Sequence, residues 1–159
     1  MKEGKLMNTL DVLKYGNQTV QRALDGLPDE AWQTPGVCGI WSVKDIIAHL
    51  SSYESVLTDL LKTIVDGGPP PQSLLKLRDN DAEVELRKEK TAQAVLAEYN
   101  QNHAQVMQLA TQIPPETLRQ TGTIPWYGME YALDDFVVYA YYGHKREHCS
   151  QIAVFCDKL

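Results

Sequence analysis

Hydrophobic residues recur along this chain at steps of three and four, with polar positions between them, in four separate stretches. The first, through Leu6, Leu10, Leu13, Val20, Ala23, Leu24 and Leu27, predicts a helix from about Lys5 to Asp25, closed by Gly26 and Pro28. The second opens on Ser42, with Asp45 three residues later in a capping-box spacing. It carries Ile46, His49, Leu50, Tyr53, Leu57, Leu60, Leu61 and Ile64 on one stripe up to Gly67. A third helix is predicted over about Asp81 to Gln112, with Val84, Val95, Tyr99, Val106, Leu109 and Ala110 facing inward. The fourth follows Leu133, Val137, Ala140, Tyr141, His144, His148, Ile152 and Phe155. Between them, Gly67-Gly68-Pro69-Pro70-Pro71 opens a largely extended connection to Asp79, and Pro114-Pro115 opens a second that runs to Gly128. Four amphipathic helices without strands make an all-α, four-helix bundle the fold in which every stripe is buried at once.

Composition narrows the class. At 159 residues the chain is expected to form one domain with a core that needs no disulfide staples. The formal charge of −6 and the absence of clustered Lys and Arg argue against nucleic acid as a partner. The mixed run Glu83 to Lys90 is expected to be a solvated helix face. Three cysteines, Cys38, Cys149 and Cys156, suit a reducing compartment, and neither a signal sequence nor a spanning segment is evident. A cytoplasmic protein with no membrane partner is therefore expected.

The chemistry lies in the histidines. His144 and His148 are four residues apart, so on a helix their side chains point the same way and one ion can hold both. Both lie on the apolar stripe, whereas Lys145, Arg146 and Glu147 carry the charge expected of a solvated face. A basic ring on a buried face must be hydrogen-bonded or metal-bound, because an unsatisfied buried polar group costs about 1–3 kcal/mol. His49, on the stripe of the second helix, is the candidate third ligand. His103 has no partner at ligand spacing and is assigned a surface or structural role. Trp126 and Tyr127, in the loop that leads into the histidine-bearing helix, are candidate pocket residues, as are Tyr53, Tyr99 and Tyr141. No acid stands out for proton transfer. Glu54 is five residues past His49 and rotated away from it, Glu147 faces elsewhere, and Asp134 and Asp135 suit the N-terminal dipole of the fourth helix. Cys149 is taken as packing.

Trp41-Ser42-Val43-Lys44-Asp45-Ile46-Ile47-Ala48-His49-Leu50 resembles the W-[ST]-x-x-[DE]-x-x-x-H-[LIV] segment of the DinB/YfiT-like superfamily. His144-Lys145-Arg146-Glu147-His148-Cys149-Ser150-Gln151-Ile152 is similar to its H-x-x-x-H-x-x-Q-[IL] segment. Within the superfamily, residues 43–50 also resemble the ClbS/DfsB group. The resemblance covers nearly the whole chain. It implies an up-down-down-up bundle, a metal site formed by His49, His144 and His148, nickel or zinc as the ion, a low-molecular-weight thiol as a further cofactor in some members, and a homodimer. It also implies hydrolase or thiol-transferase chemistry on a small-molecule substrate.

Three neutral imidazoles leave a divalent ion its full charge and an open position, the arrangement of a catalytic site. Such a site activates water or a thiol against a small electrophile. Two further readings share the same residues: a bundle that binds or sequesters a small molecule without turnover, and a structural bundle whose histidines are only hydrogen-bonded.

Overall fold

The computed structural model of the chain describes residues 8–75 and 78–159. The expected start of the first helix at Lys5, with Leu6, lies outside the described residues. Helix α1 spans Thr9–Leu24, α2 Val43–Asp66, α3 Gln72–Leu75, α4 Asn80–Glu85, α5 Ala92–Thr111, α6 Pro115–Arg119, α7 Leu133–Val137 and α8 His144–Asp157. A π-helical turn, Val138–Gly143, fuses α7 to α8. The fold is all-α. Among the described residues no strand forms beyond one isolated bridge between Cys38 and Trp41, and no helix is long and apolar enough to cross a membrane.

The start of α2 follows the sequence closely. Ser42 accepts the Asp45 N–H at 3.2 Å, and the Asp45 carboxylate accepts the Ser42 N–H at 3.0 Å, so two otherwise orphaned donors are satisfied reciprocally. Gly67, at φ +75°, ends the helix in the left-handed region that a side chain would disfavour.

The expected third helix is two. Thr91 adopts an extended backbone and accepts the Ala94 N–H at 3.0 Å, which starts α5 afresh six residues after α4 has ended. The charge run across this break is therefore not one helix face. Arg87 pairs with both Glu83 and Glu98, and the buried Lys44 donates to the Lys88 carbonyl at 2.7 Å, so the break is tied to α2 and α5. Part of the connection after Gly67 is likewise helical, as α3.

The α2–α5 pair packs most extensively, and α1 lies against α8, the π-helical turn and α5. The apolar core comes in two clusters. One holds Leu13, Leu57, Leu61, Val106, Leu133 and Tyr141; the other holds Val20, Ile46, Leu50, Val95, Tyr99 and Ile152. Between them, on every long helix, comes a position that is not aliphatic: Gly16 on α1, Glu54 on α2, His103 on α5 and Lys145 on α8. Lys145 ion-pairs with Glu54 Oε1, and His103 Nδ1 meets Glu54 Oε2 at 3.3 Å. Lys145 is 2% exposed, contrary to the solvated face expected for it. Lys145 lies four residues after Tyr141 and three before His148, both buried, so helical spacing puts it on the inward face that they share.

Gly16 leaves room beside this layer. A Cβ there would meet the Tyr142 ring at 3.5 Å and Lys145 Cδ at 3.6 Å, ordinary contact distances. Because glycine in a helix interior costs roughly 0.5–1 kcal/mol relative to alanine, Gly16→Ala is expected to raise stability by about that amount. A urea unfolding curve measures it.

Candidate metal centre

α2 and α8 bring three imidazoles to one point. His49 Nε2 and His148 Nε2 each lie 3.0 Å from His144 Nε2, and all three nitrogens fall within 4.8 Å of one another. His49 and His148 are buried, at 2% and 7% exposure, and His144 is half-buried. The rings stand edge to face, with His49 at 88° to His144 and 80° to His148, so the nitrogens converge and the ring faces do not stack.

Hydrogen bonding alone satisfies this arrangement poorly. His144 Nε2 carries at most one proton, and that proton cannot point at both neighbours. Gln151 settles one ring. Its Oε1 lies 2.8 Å from His148 Nδ1, an acceptor that places the proton on Nδ1 and leaves the Nε2 lone pair facing the cluster. A cation about 2.0–2.1 Å from each nitrogen requires nitrogens roughly 3–3.5 Å apart, which the two 3.0 Å contacts approach. The donor set fits a divalent metal.

The surroundings keep the rings of His49 and His144 neutral. Burial is the largest cause for both His49 and His144. The companion histidines and the Arg78 guanidinium add to it, lowering His49 from its usual 6.5 to about 3 and His144 to about 4. In the unfolded chain these rings titrate near 6.5, so on acidification the unfolded state takes up protons first. The contribution of the two rings to stability is complete above about pH 6.5 and is lost progressively towards their folded values. Metal-free protein is therefore expected to lose stability between roughly pH 6.5 and 4. Denaturant melts of wild type and a His49→Phe variant across that range measure the effect, with the variant showing the shallower slope.

Aromatic rings close the site. Trp41 lies 4.9 Å from His49, ring centre to ring centre, and is held there by its indole N–H donating to Asp81 Oδ1 at 3.2 Å. Tyr53 lies 4.9 Å from His49 and 4.6 Å from His144. A cavity of about 700 Å³ opens beside His144, lined by Tyr53, Tyr127, Tyr142, Arg146, Glu147 and the π-helical turn. A smaller one of about 180 Å³ shares Tyr53 with it and is walled by Trp126, Phe136, Tyr141 and Arg78.

Of the aromatic residues singled out in the sequence, Tyr53 and Tyr127 thus line the cavity that His144 reaches, while Trp126 and Tyr141 line the smaller one. Tyr141 is anchored by its hydroxyl, which donates to the Tyr53 carbonyl at 2.9 Å. Tyr99 lines neither: it is buried in the second core cluster, donating to Asn17 Oδ1 at 3.0 Å. His103 is buried, bonded to Glu54 and structural. Burial pushes the Cys149 thiol up to about 11, against the opposing pull of Lys145, as suits a packing residue. Asp135 accepts the Ala132 N–H at 2.8 Å at the start of α7. Glu147, set aside in the sequence, lines the large cavity, and Arg78 and Gln151 had been given no role. Gln151 had a signal, three residues after His148 and on its face of α8; Arg78, on a long connection, had none.

A profile of the DinB superfamily matches residues 13–152. The chain belongs to the DinB superfamily. No curated protein sequence matches this DinB protein significantly. Among solved structures it is similar to the colibactin self-resistance protein ClbS in complex with double-stranded DNA, with a TM-score of 0.77 at 10% identity over 95% of this chain and 94% of that one. At that identity the likeness is one of fold. It nevertheless overturns the expectation that nucleic acid is excluded, because a protein of this fold has been solved on duplex DNA. The expectation failed because net charge is a sum over the whole surface, whereas phosphate contact depends on where individual cations lie.

Proposed function

We propose that this DinB protein is a metal-dependent enzyme that activates water or a thiol against a small electrophilic substrate, with His49, His144 and His148 as the metal ligands. The observation that carries the reading is the convergence of three imidazole Nε2 atoms, two of them 3.0 Å from the third, at the edge of a cavity of about 700 Å³. Three imidazoles contribute no negative charge, so a divalent cation bound there keeps its full Lewis acidity and lowers the pKa of a coordinated water or thiol towards neutrality.

The chain's own residues do the rest. Gln151 fixes the tautomer of His148, and Trp41 and Tyr53 hold the ring of His49 from two sides. Tyr53 and Tyr127 give the cavity aromatic walls that receive an apolar substrate. Glu147 is the carboxylate of that wall, available to take a proton from the attacking nucleophile, and Arg146 supplies a cation one residue away.

Elemental analysis of protein purified without chelator tests the reading. About one divalent ion per chain is expected, with nickel and zinc the first to look for; less than a tenth of an ion, in protein that also takes up none on dialysis against either metal, would remove it.

A second reading, that this chain meets duplex DNA, is supported by the complex of ClbS. Fluorescence anisotropy with a labelled duplex decides it. Binding that weakens steeply between about 50 and 200 mM salt marks phosphate contact, and no change in anisotropy at low salt excludes it.

A further inference from the structure

We propose that Arg78 is a specificity-determining residue that receives the carboxylate or sulfonate of a small apolar ligand in the inner cavity beside the histidine cluster. The proposal deepens the enzymatic reading, on which the word substrate depends, but the anion site itself needs no metal.

Arg78 is half-buried, with its guanidinium carbon 4.0 Å from the centre of the Tyr53 ring. Its known partners are neutral. Nη2 donates to Ser52 Oγ at 2.6 Å and Nε to Asn80 Oδ1 at 3.3 Å, which leaves Nη1 without a protein acceptor among the described residues. Ser52 in turn donates to the His49 carbonyl at 2.8 Å, so the guanidinium is held in register with the turn of α2 that carries the candidate ligand. No carboxylate among the described residues forms an ion pair with Arg78, whereas Arg87, the other arginine that is not exposed, pairs with Glu83 and Glu98. A guanidinium removed from much of its water without a counter-ion is costly unless an anion arrives, and its planar fork matches a carboxylate in bidentate fashion.

The cavity states what the rest of the ligand must be. Apart from Arg78 and Ser73 its wall is apolar, with Leu74, Trp126, Phe136 and Tyr141 among its residues, and among the described residues no acidic side chain lines it. At about 180 Å³ it holds a single ring or a short branched chain. Tyr53 and Ala140 line this cavity and the larger one alike. An anion paired with Arg78 therefore leaves the remainder of a longer molecule next to Tyr53, whose ring touches both His49 and His144.

Isothermal titration of benzoate and of its neutral counterpart benzamide tests this on the whole chain, as purified and after removal of metal with chelator. Benzoate is expected to bind at least tenfold more tightly than benzamide in both preparations. Arg78→Gln is expected to abolish the difference, and Arg78→Lys to keep part of it, because the charge remains but the fork is lost. Should Arg78→Gln fail to fold, a benzoate-dependent shift of the Arg78 Nε–H resonance in the wild type supports the site, and an unmoved resonance overturns it. The proposal is also overturned if neither compound binds at millimolar concentration, if Arg78→Gln still prefers benzoate, or if the preference disappears on removing metal. That last outcome would place the anion on the metal and leave the enzymatic reading standing, whereas protein that purifies without metal and takes none up, yet keeps the preference, would uphold the anion site and remove the enzymatic reading.

Discussion

Replacing Lys145 with methionine is expected to lower the free energy of unfolding by about 3–5 kcal/mol, the usual cost of stranding one partner of a buried ion pair. Glu54 is 0% exposed, and its carboxylate is compensated by Lys145 on one oxygen and His103 on the other. Burial alone would raise the carboxyl's pKa; Lys145 and then His103 outweigh it and hold the group below its usual range. The pH dependence separates this account from simple loss of packing. A carboxyl depressed in the folded state stabilises above its unfolded value of about 4.3, and that contribution disappears as pH falls through the folded value. Wild type should therefore weaken below about pH 4.5. In Lys145→Met the sign reverses, because a carboxyl left with burial and no ammonium prefers its proton, and acidification from pH 7 to 5 should recover part of the lost stability. Glu54→Gln in the same background should recover it without any pH change. Urea midpoints at pH 7 and pH 5 for the three proteins measure all of this, and a Lys145→Met midpoint equal to that of wild type would show that the pair contributes nothing.

The same layer shows which parts of the fold a sequence discloses. Ser42 and Asp45 announce α2 because a capping box is a local device, complete within four residues. The stripe from Leu133 to Ile152 was legible because burial repeats with the helical period on both sides of the π-helical turn: Leu133, Val137, Tyr141, His148 and Ile152 are all buried. The turn itself was not legible. Nothing in Val138-Tyr139-Ala140-Tyr141-Tyr142-Gly143 distinguishes it from regular helix. Lys145 stands on the buried stripe, four residues after Tyr141 and three before His148, and only its charge argued for a solvated face. Glu54 was placed correctly relative to His49, five residues on and pointing elsewhere. That other direction proved to be the space between α5 and α8, because α2 is covered on more than one side and has no fully solvated face to offer along much of its length. The break before α5 was hidden by a charge run that suits either a helix surface or a turn. Thr91 was the residue that decided, since its hydroxyl gives Ala94 a partner that an uninterrupted helix would not need.

The histidine cluster offers the sharpest gradation among variants. His49→Ala and His148→Ala each remove one of the three converging nitrogens, and both are expected to lower metal affinity by more than the roughly 10–100-fold that losing an outer-shell partner costs. Gln151→Leu should fall within that smaller range. It leaves all three imidazoles in place but takes away the oxygen 2.8 Å from His148 Nδ1, so the ring is free to carry its proton on Nε2, where a metal cannot then bind. Gln151→Glu should bind metal at least as tightly as wild type, since a carboxylate accepts from Nδ1–H more strongly and raises the basicity of Nε2. His103→Ala is the control: it removes an imidazole of the same bundle that bonds to Glu54 and stands outside the cluster, so it should cost stability and spare the metal. Competition with a chromophoric chelator at pH 7.5 ranks the five proteins against wild type. The order His49→Ala and His148→Ala weakest, Gln151→Leu intermediate, and His103→Ala and Gln151→Glu unimpaired follows only if the ion sits among the three Nε2 atoms. A metal that leaves with His103, or one that ignores His49, would place it elsewhere.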